Sequence, residues 1–467
     1  MTEIDDLRAA GSQQLDWQYA RAQNYLAYYD GLSKIIALLD TDERQTFLRF
    51  LDESYANWSE LIVNAVAERL QVVGFRFGAS TDTAWSIWQA NSMDADSELV
   101  QTDALVCGSS FVLVQPDEDN PSGVSITAES PLEATVVYQP GNRRQRIAGY
   151  KRFTDWDQHT TEVLILPDVI CTWEQYGGQP VIEDNTAGVV TLIEMVPQPR
   201  TTLNRPPRSE LDSAIPFQDR IHTTIFNRMV ASDYGAFRQI WATGVKMARQ
   251  VLTTTDADGV TQTSTVLVKP YDVGANRLLT NEDPNGKFGS FPESTLGGYL
   301  ASVEADVLHL AAITQTPPHY LLGKMANLSA DAIKAAEAGL VAKCTRRSVH
   351  MGETWETVMR LALGLIGDPG ATMLGAEVIW RDMETRSEAQ LVDALTKMAT
   401  LGVPREVLWQ RWGATPQEIA TWKALSAEQA SADAANQAAA LGAADIAKAL
   451  AGAGAQVPEA GLSGQSL

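Results

Sequence analysis

A chain of 467 residues with 45% hydrophobic and 20% charged residues has the make-up of a folded protein of roughly two to four domains, not of a disordered one. Its formal net charge of -22 excludes a surface that condenses on nucleic acid by bulk electrostatics. Cys107, Cys171 and Cys344 lie far apart with no CxxC or Cys/His ligand pair, which excludes a disulfide scaffold and a zinc module and reads as three reduced core residues.

The opening stretch Met1 to Ala10 is acidic and polar, and no charge-free apolar stretch reaches the length of a membrane span. The expectation is a product of the cytoplasm, or of a particle built there, with no membrane contact. Leu15 to Leu39 then carries Trp17, Tyr19, Tyr25, Tyr28 and Tyr29 in a helix-compatible run. Residues 1–40 form an N-terminal arm that either packs on a neighbouring subunit or closes over its own domain. Thr41 can cap a second helix whose apolar face runs Phe47, Leu51, Tyr55, Trp58, Ile62, Ala65, Val66 and Leu70, before a strand at Val72 to Phe77. Trp85, Trp88 and Leu99 to Leu105 predict one more helix, ending at Gly108.

Short strands follow. Ser109 to Gln115, Val124 to Ala128, Thr135 to Tyr138, Arg146 to Phe153, Glu162 to Leu166, Val169 to Glu174 and Val189 to Val196 alternate with Gly, Pro, Asn and Asp turns, so a mainly antiparallel sheet is expected. The prolines of Pro197 to Pro207 mark a boundary. Beyond it a helix starts near Pro216, with Phe217, Ile221, Ile225, Ser232 and Phe237 on a mixed face that also carries Arg220, Arg228 and Arg238. Trp241 to Phe291 is poor in helix signals and rich in turn formers, and reads as a small β-containing insertion. Helix returns at Ser294 to Ile313, with Leu296, Leu300, Val303, Val307, Leu310 and Ala311 as its seam.

Pro317 and Pro318 end that helix, and the chain turns through His319 to Asn327. Ser329 then stands at an N-cap position, Asp331 lies in the first turn, and Leu328 and Ile333 have the spacing of a hydrophobic staple. Apolar residues recur at helical spacing through Ile333, Leu340, Met351, Trp355 and Val358, the candidate core of this helix, until Gly367-Asp368-Pro369-Gly370. One helix of roughly 55 Å results, or two shorter ones broken at Gly352. Glu377 to Arg381 reads as a strand, and Ser387 to Leu401, Pro404 to Trp412 and Pro416 to Leu425 as three helices. From Ser426 the chain is Ala- and Gly-rich and is expected to be mobile beyond one weak helix.

No P-loop, GxGxxG turn, HExxH, EF-hand loop or GxSxG elbow occurs. The histidines lack metal-ligand spacing, although spacing leaves His309 and His319 open as a pair. The clusters Asp94-Asp96-Glu98 and Asp117-Glu118-Asp119 sit beside turn formers and read as solvated loops. Arg143, Arg144 and Arg146 follow a Pro-Gly-Asn turn and read as hairpin surface.

The run Ile313-Thr314-Gln315-Thr316-Pro317-Pro318-His319-Tyr320-Leu321-Leu322-Gly323, followed by Asn327-Leu328-Ser329-Ala330 and Ala335-Ala336-Glu337-Ala338-Gly339-Leu340, resembles phage portal proteins of the siphovirus type, the head-to-tail connector rings of tailed double-stranded DNA phages. A second, distant stretch from Asn57-Trp58 through Asn64 to Leu70 and on to Gly74-Phe75 is similar to the same family. The resemblance implies an α+β portal fold: a β-rich wing over 41–207, a first stem helix over 208–240, a clip over 241–293 and a second stem helix over 294–316. It further implies a tunnel loop over 317–328, a long spine helix over 329–366, a wing return and helical crown over 367–425, and a flexible tail over 426–467.

By the same resemblance the protein forms a ring of twelve subunits at the capsid vertex, through which double-stranded DNA is packaged and ejected. Its partners would be the terminase large subunit, head-completion or adaptor proteins, the major capsid or scaffold protein and, transiently, the DNA. His319, Lys324, Met325 and Asn327 would face the duplex, Lys324 adding a sparse belt of positive charge. No catalytic residue, cofactor or metal is expected, since the motor would supply the energy. The alternatives are a monomeric cytosolic enzyme with a site around His309 and His319, or another ring-forming head-tail adaptor lacking the stem, clip, stem, spine order.

Overall fold

The computed structural model describes residues 2–32, 50, 53–174, 178–201, 206–236, 240–243, 249–255, 261–267, 284–290, 295–323, 330–384 and 388–453. It is an α+β structure whose main core gathers around one long helix. The first element, α1 (Thr2–Tyr29), lies over its own chain. Leu15 is fully buried with Ala148, Tyr150, Leu164, Cys171 and Trp173. Gly11 is required there, because a Cβ at that position would stand 2.6 Å from Tyr150 Cβ. The aromatic run has a local explanation. Tyr28 donates to Asp219 at 2.8 Å and Tyr29 to Asn64 at 2.9 Å, Tyr25 donates to Asp212, while Trp17 stays exposed.

The predicted helix from Thr41 to Leu70 is not continuous. Residues 55–57 are non-helical, and α2 (Trp58–Ala67) starts only after Asn57, whose side chain accepts from Glu60 N at 3.3 Å. An Asn that satisfies a first-turn N–H favours the cap over the helix interior. Strand β1 (Val72–Arg76) follows, and then two helices stand where one was expected, α3 (Thr81–Ala90) and α4 (Met93–Cys107). The break is made by Asn91, which donates to Ile87 O at 2.9 Å, and by Ser92 in the left-handed region at φ 54°. Asp94 is therefore not in a solvated loop: at the start of α4 it accepts from Trp88 Nε1 and Gln89 Nε2, both at 2.9 Å. Gly108 ends α4 at φ 92°, and a Cβ there would lie 2.8 Å from Pro207 O.

The β-rich region forms two antiparallel sheets rather than one. Strands β2 (Ser110–Pro116), β3 (Val124–Glu129) and β9 (Leu192–Met195) make the order β3-β2-β9. Strands β4 (Ala134–Gln139), β5 (Asn142–Thr154), β6 (Thr160–Ile165), β7 (Val169–Trp173) and β8 (Val181–Asp184) pair in sequence order. Phe111, Leu113 and Leu192 from the first sheet pack with Ala134, Val136 and Ile165 from the second. The β4 edge is covered by α1, where Gln14 donates to Val136 O at 3.0 Å and Gln18 to Pro131 O at 2.6 Å.

Helices α5 (Ile215–Ala236) and α6 (Gly297–Thr314) pack together and are joined by an ion pair of Arg220 with Asp306 at 2.6 Å. Between them in sequence, β10 (Ile240–Thr243) pairs with β13 (Lys287–Ser290), and β11 (Arg249–Thr255) with β12 (Thr261–Leu267). A one-turn helix α7 (Pro318–Leu322) occupies the start of the expected loop, with Pro318 at its first position.

The next helix, α8 (Ala330–Leu365), is a single 36-residue element, not two broken at Gly352. Strand β14 (Glu377–Trp380) returns to pair antiparallel with β1. The chain ends in α9 (Glu388–Thr400), α10 (Arg405–Trp412) and α11 (Pro416–Ala453). Where a helix ending near Leu425 and one weak Ala-rich helix after Ser426 were expected, α11 runs as a single element to Ala453, as a run of alanines with the highest intrinsic helix propensity permits. Among the described residues, no helix is long and apolar enough to cross a membrane.

Candidate functional site

The described part of the segment between α6 and α8 is held by side chains from α2 and from α8. Gln315 closes α6 in the left-handed region at φ 55°, so the chain leaves the helix axis abruptly before Pro317 and Pro318. Thr314 and Thr316 are buried, and their hydroxyls meet at 3.1 Å. Trp58 Nε1 of α2 donates to Leu321 O at 3.1 Å, and Lys343 Nζ of α8 donates to Thr314 O at 2.8 Å. Gly323, at φ 62°, ends α7.

His319 lies on α7 with its ring edge-on to Tyr320 at 4.7 Å, and is half-buried. Lys324, Met325 and Asn327, together with Leu328 and Ser329, fall outside the described residues. On α8, Ile333 is half-buried, whereas Leu340, Met351, Trp355 and Val358 are fully buried, as are Cys344, Met359 and Ala362 on the same helix.

Interrupting that apolar stripe, Lys343 and Arg347 are also buried and converge on Glu210, which precedes α5. Lys343 Nζ stands 3.1 Å from one carboxylate oxygen and Arg347 Nε 2.6 Å from the other, while Gln198 Nε2 donates to Glu210 at 2.9 Å. Burial pushes the Glu210 carboxyl up, but the two cations outweigh it and hold it below the usual carboxylate range. Residue spacing could have revealed half of this: Lys343 and Arg347 lie one turn apart on the apolar face, which leaves two charges in need of a partner. Nothing local names Glu210 as that partner.

Cys107, Cys171 and Cys344 are free and buried, and burial pushes the Cys344 thiol up to about 11, far from a reactive thiolate. Among the described residues no group of His, Cys, Asp and Glu is arranged to hold a metal ion. An open cleft of about 460 Å³ lies elsewhere, between α10 and α11, lined by Trp409, Trp412, Trp422, Leu425 and Ser426.

Comparison with known proteins bears directly on this arrangement. Residues 12–432 match the model of a family described as phage portal protein, SPP1 Gp6-like. The chain belongs to that family. The portal protein of Mycobacterium phage L5 is 28% identical over 385 residues, covering 76% of this chain and 74% of that protein. The portal protein of Mycobacterium phage D29 is 27% identical over 382 residues, covering 76% and 75%. Among solved structures, the neck of an empty gene transfer agent particle aligns with 79% of this chain and 88% of that one, at 13% identity and a TM-score of 0.41. Family membership favours the portal reading of the sequence over the cytosolic enzyme and the adaptor.

Proposed function

We propose that the protein assembles into a closed ring at one capsid vertex, that double-stranded DNA passes through the ring during packaging and ejection, and that twelve copies form it. The observation that carries this reading is the order of elements inside a portal-family chain: α5, a β insertion, α6, a sharp turn and then a 36-residue helix. At ~1.5 Å per residue α8 extends roughly 54 Å, far beyond what one small domain needs. In this reading α5 and α6 are the stem, residues 241–293 the clip, α7 and the residues after it the tunnel loop, α8 the spine, and α9 to α11 the crown and its extension. The terminase large subunit and head-completion proteins would dock at the clip, and the major capsid or scaffold protein at the wing.

Surface chemistry supports a ring. Leu300, Leu308 and Ile313 on α6 are 53%, 43% and 50% exposed, apolar side chains that a neighbouring subunit would cover. A head-to-tail interface of unlike faces closes into a ring when its rotation divides a full turn. With a net charge of -22 the ring would repel the duplex, which suits a conduit through which DNA slides without being held. The test is the size and shape of the purified protein, by light scattering and electron microscopy. Closed rings are expected, and monomers at every concentration, also with the other head proteins present, would defeat the proposal.

A further inference from the structure

The two edges of the five-stranded sheet are finished differently. The β4 edge is closed by α1, whose Gln18 donates to Ala134 O at 3.1 Å and whose Gln14 donates to Val136 O at 3.0 Å. At the other edge, among the described residues, β8 has β7 as its one strand neighbour, and Val181, Ile182, Glu183 and Asp184 are all exposed, the first two at 54% and 56%. The end of β8 is fixed, because the buried Asn185 donates from its side chain to Leu166 O at 2.6 Å and to Val189 O at 2.8 Å. In an antiparallel ladder successive residues alternately exchange both backbone bonds with the neighbour and none. Asn185 N donates to Asp168 O, and Val169 O, opposite Asp184, accepts from Leu166 N on the β6 side, each at 2.9 Å. The backbone N–H and C=O of Ile182 and Asp184 therefore point away from β7, toward the free edge.

We propose that β8 is a docking edge for an extended basic segment of a different protein, which adds to the sheet as a further antiparallel strand. An ordered edge with outward donors and acceptors is what strand addition uses, the backbone giving affinity and the side chains selectivity. Charge selects the occupant. From Thr160 to Pro199 the chain has no Lys, Arg or His, and β7 and β8 are flanked or lined by the exposed Asp168, Glu174, Glu183 and Asp184. A second copy pairing through its own β8 would bring the Glu183 and Asp184 carboxylates of both chains together, which like charge opposes. A strand reading Lys-Lys-Ile-Val instead sets a cation opposite Asp184 and Glu183 and a β-branched side chain opposite Ile182 and Val181. The proposal does not rest on the portal reading.

The test is fluorescence anisotropy of a labelled Thr-Lys-Lys-Ile-Val-Thr peptide, blocked at both ends, titrated with the full chain. Saturable binding is expected, roughly tenfold or more tighter than for the order Lys-Ile-Lys-Val, and weakening as salt rises. Methylating the peptide Ile nitrogen, which removes the donor to Ile182 O, should abolish it. Ile182→Pro deletes an outward N–H that β7 does not use, and should weaken binding roughly tenfold with melting temperature and oligomeric state unchanged. Glu183→Lys combined with Asp184→Lys should lose this peptide and gain Thr-Glu-Glu-Ile-Val-Thr. No saturable binding up to about 1 mM peptide, or equal binding of the reordered or methylated peptide, would overturn the proposal. So would loss of self-assembly in Ile182→Pro, which would make the occupant a second copy.

Discussion

The indole of Trp88 meets that of Trp355 edge to face, with ring centroids 5.1 Å apart. This contact joins α3 to the middle of α8, and both rings are fully buried. Gln101, with its amide turned to suit, accepts from Trp355 Nε1 at 3.2 Å and donates to Leu70 O at 2.6 Å. The indole N–H is thus satisfied, as a buried Trp requires. Trp355→Ala should cost about 3–5 kcal/mol, and Leu340→Ala about 2–5 kcal/mol. Denaturant or thermal melts read both losses, and unchanged melts would show that α8 is not a core element.

The buried contact of Glu210 with Lys343 and Arg347 predicts a different signature. Glu210→Gln leaves two cations enclosed without a carboxylate, a loss of about 3–5 kcal/mol. The sign of the pH dependence follows from the depressed carboxyl of the folded state. The stabilisation it provides is present above the unfolded value of ~4.3 and is lost as pH falls through the lower folded value. Melting temperatures of the wild type should therefore drop in acid more steeply than those of Glu210→Gln. Parallel acid limbs would remove this group from the account.

Glu194 of β9 behaves in the opposite sense. Its carboxyl is enclosed and accepts from Tyr138 of β4 at 2.9 Å. Burial pushes it up to about 7, against the Tyr138 and Ser109 hydrogen bonds that pull it down. Between the unfolded value of ~4.3 and about 7 the folded chain holds a proton that the unfolded chain has lost. The contribution to stability is full below ~4.3 and is lost as pH rises through about 7. Glu194→Gln should flatten that decline in a series of melts from acid to mildly alkaline pH. A wild-type and variant pair with the same slope would contradict it.

Under the portal reading, Lys324 is the position proposed to touch the duplex. If it supplies a sparse positive belt in an acidic conduit, Lys324→Glu should leave rings intact and lower the DNA packaged or retained per head, with Lys324→Ala doing less. A complementation assay with rings checked by microscopy reads the difference. Normal packaging by the glutamate variant would remove Lys324 from the mechanism while leaving the portal assignment standing.

What the sequence made legible was whatever rests on local periodicity or on one-residue punctuation. The buried end of the α6 seam at Val307, Leu310 and Ala311, the stop at Pro317-Pro318 and the stripe from Leu340 to Val358 each follow from spacing, whereas Leu300, expected in the same seam, is exposed. The divisions at Asn57 and at Asn91-Ser92 escaped, because there a side chain that satisfies a neighbouring backbone group competes with a helical pattern that continues past it. Strand β8 escaped too: all four of its residues are exposed, so no alternation of burial marked it. The contact of Glu210 with Lys343 and Arg347 joins residues far apart in the chain, and long-range pairing leaves no local trace.

The pairing of β1 with β14 carries a consequence for how the chain comes into being. Arg76 lies opposite Glu377, so β1 lacks this partner strand until translation has passed the whole of α8 and reached β14. At ~5–20 residues per second that wait is on the order of tens of seconds, during which an unpaired strand edge stands open to other chains. Truncation after α8, which leaves the core helix intact, should therefore yield aggregate in place of a smaller folded product, and nascent chains should depend on whatever holds such edges apart until the last strand arrives.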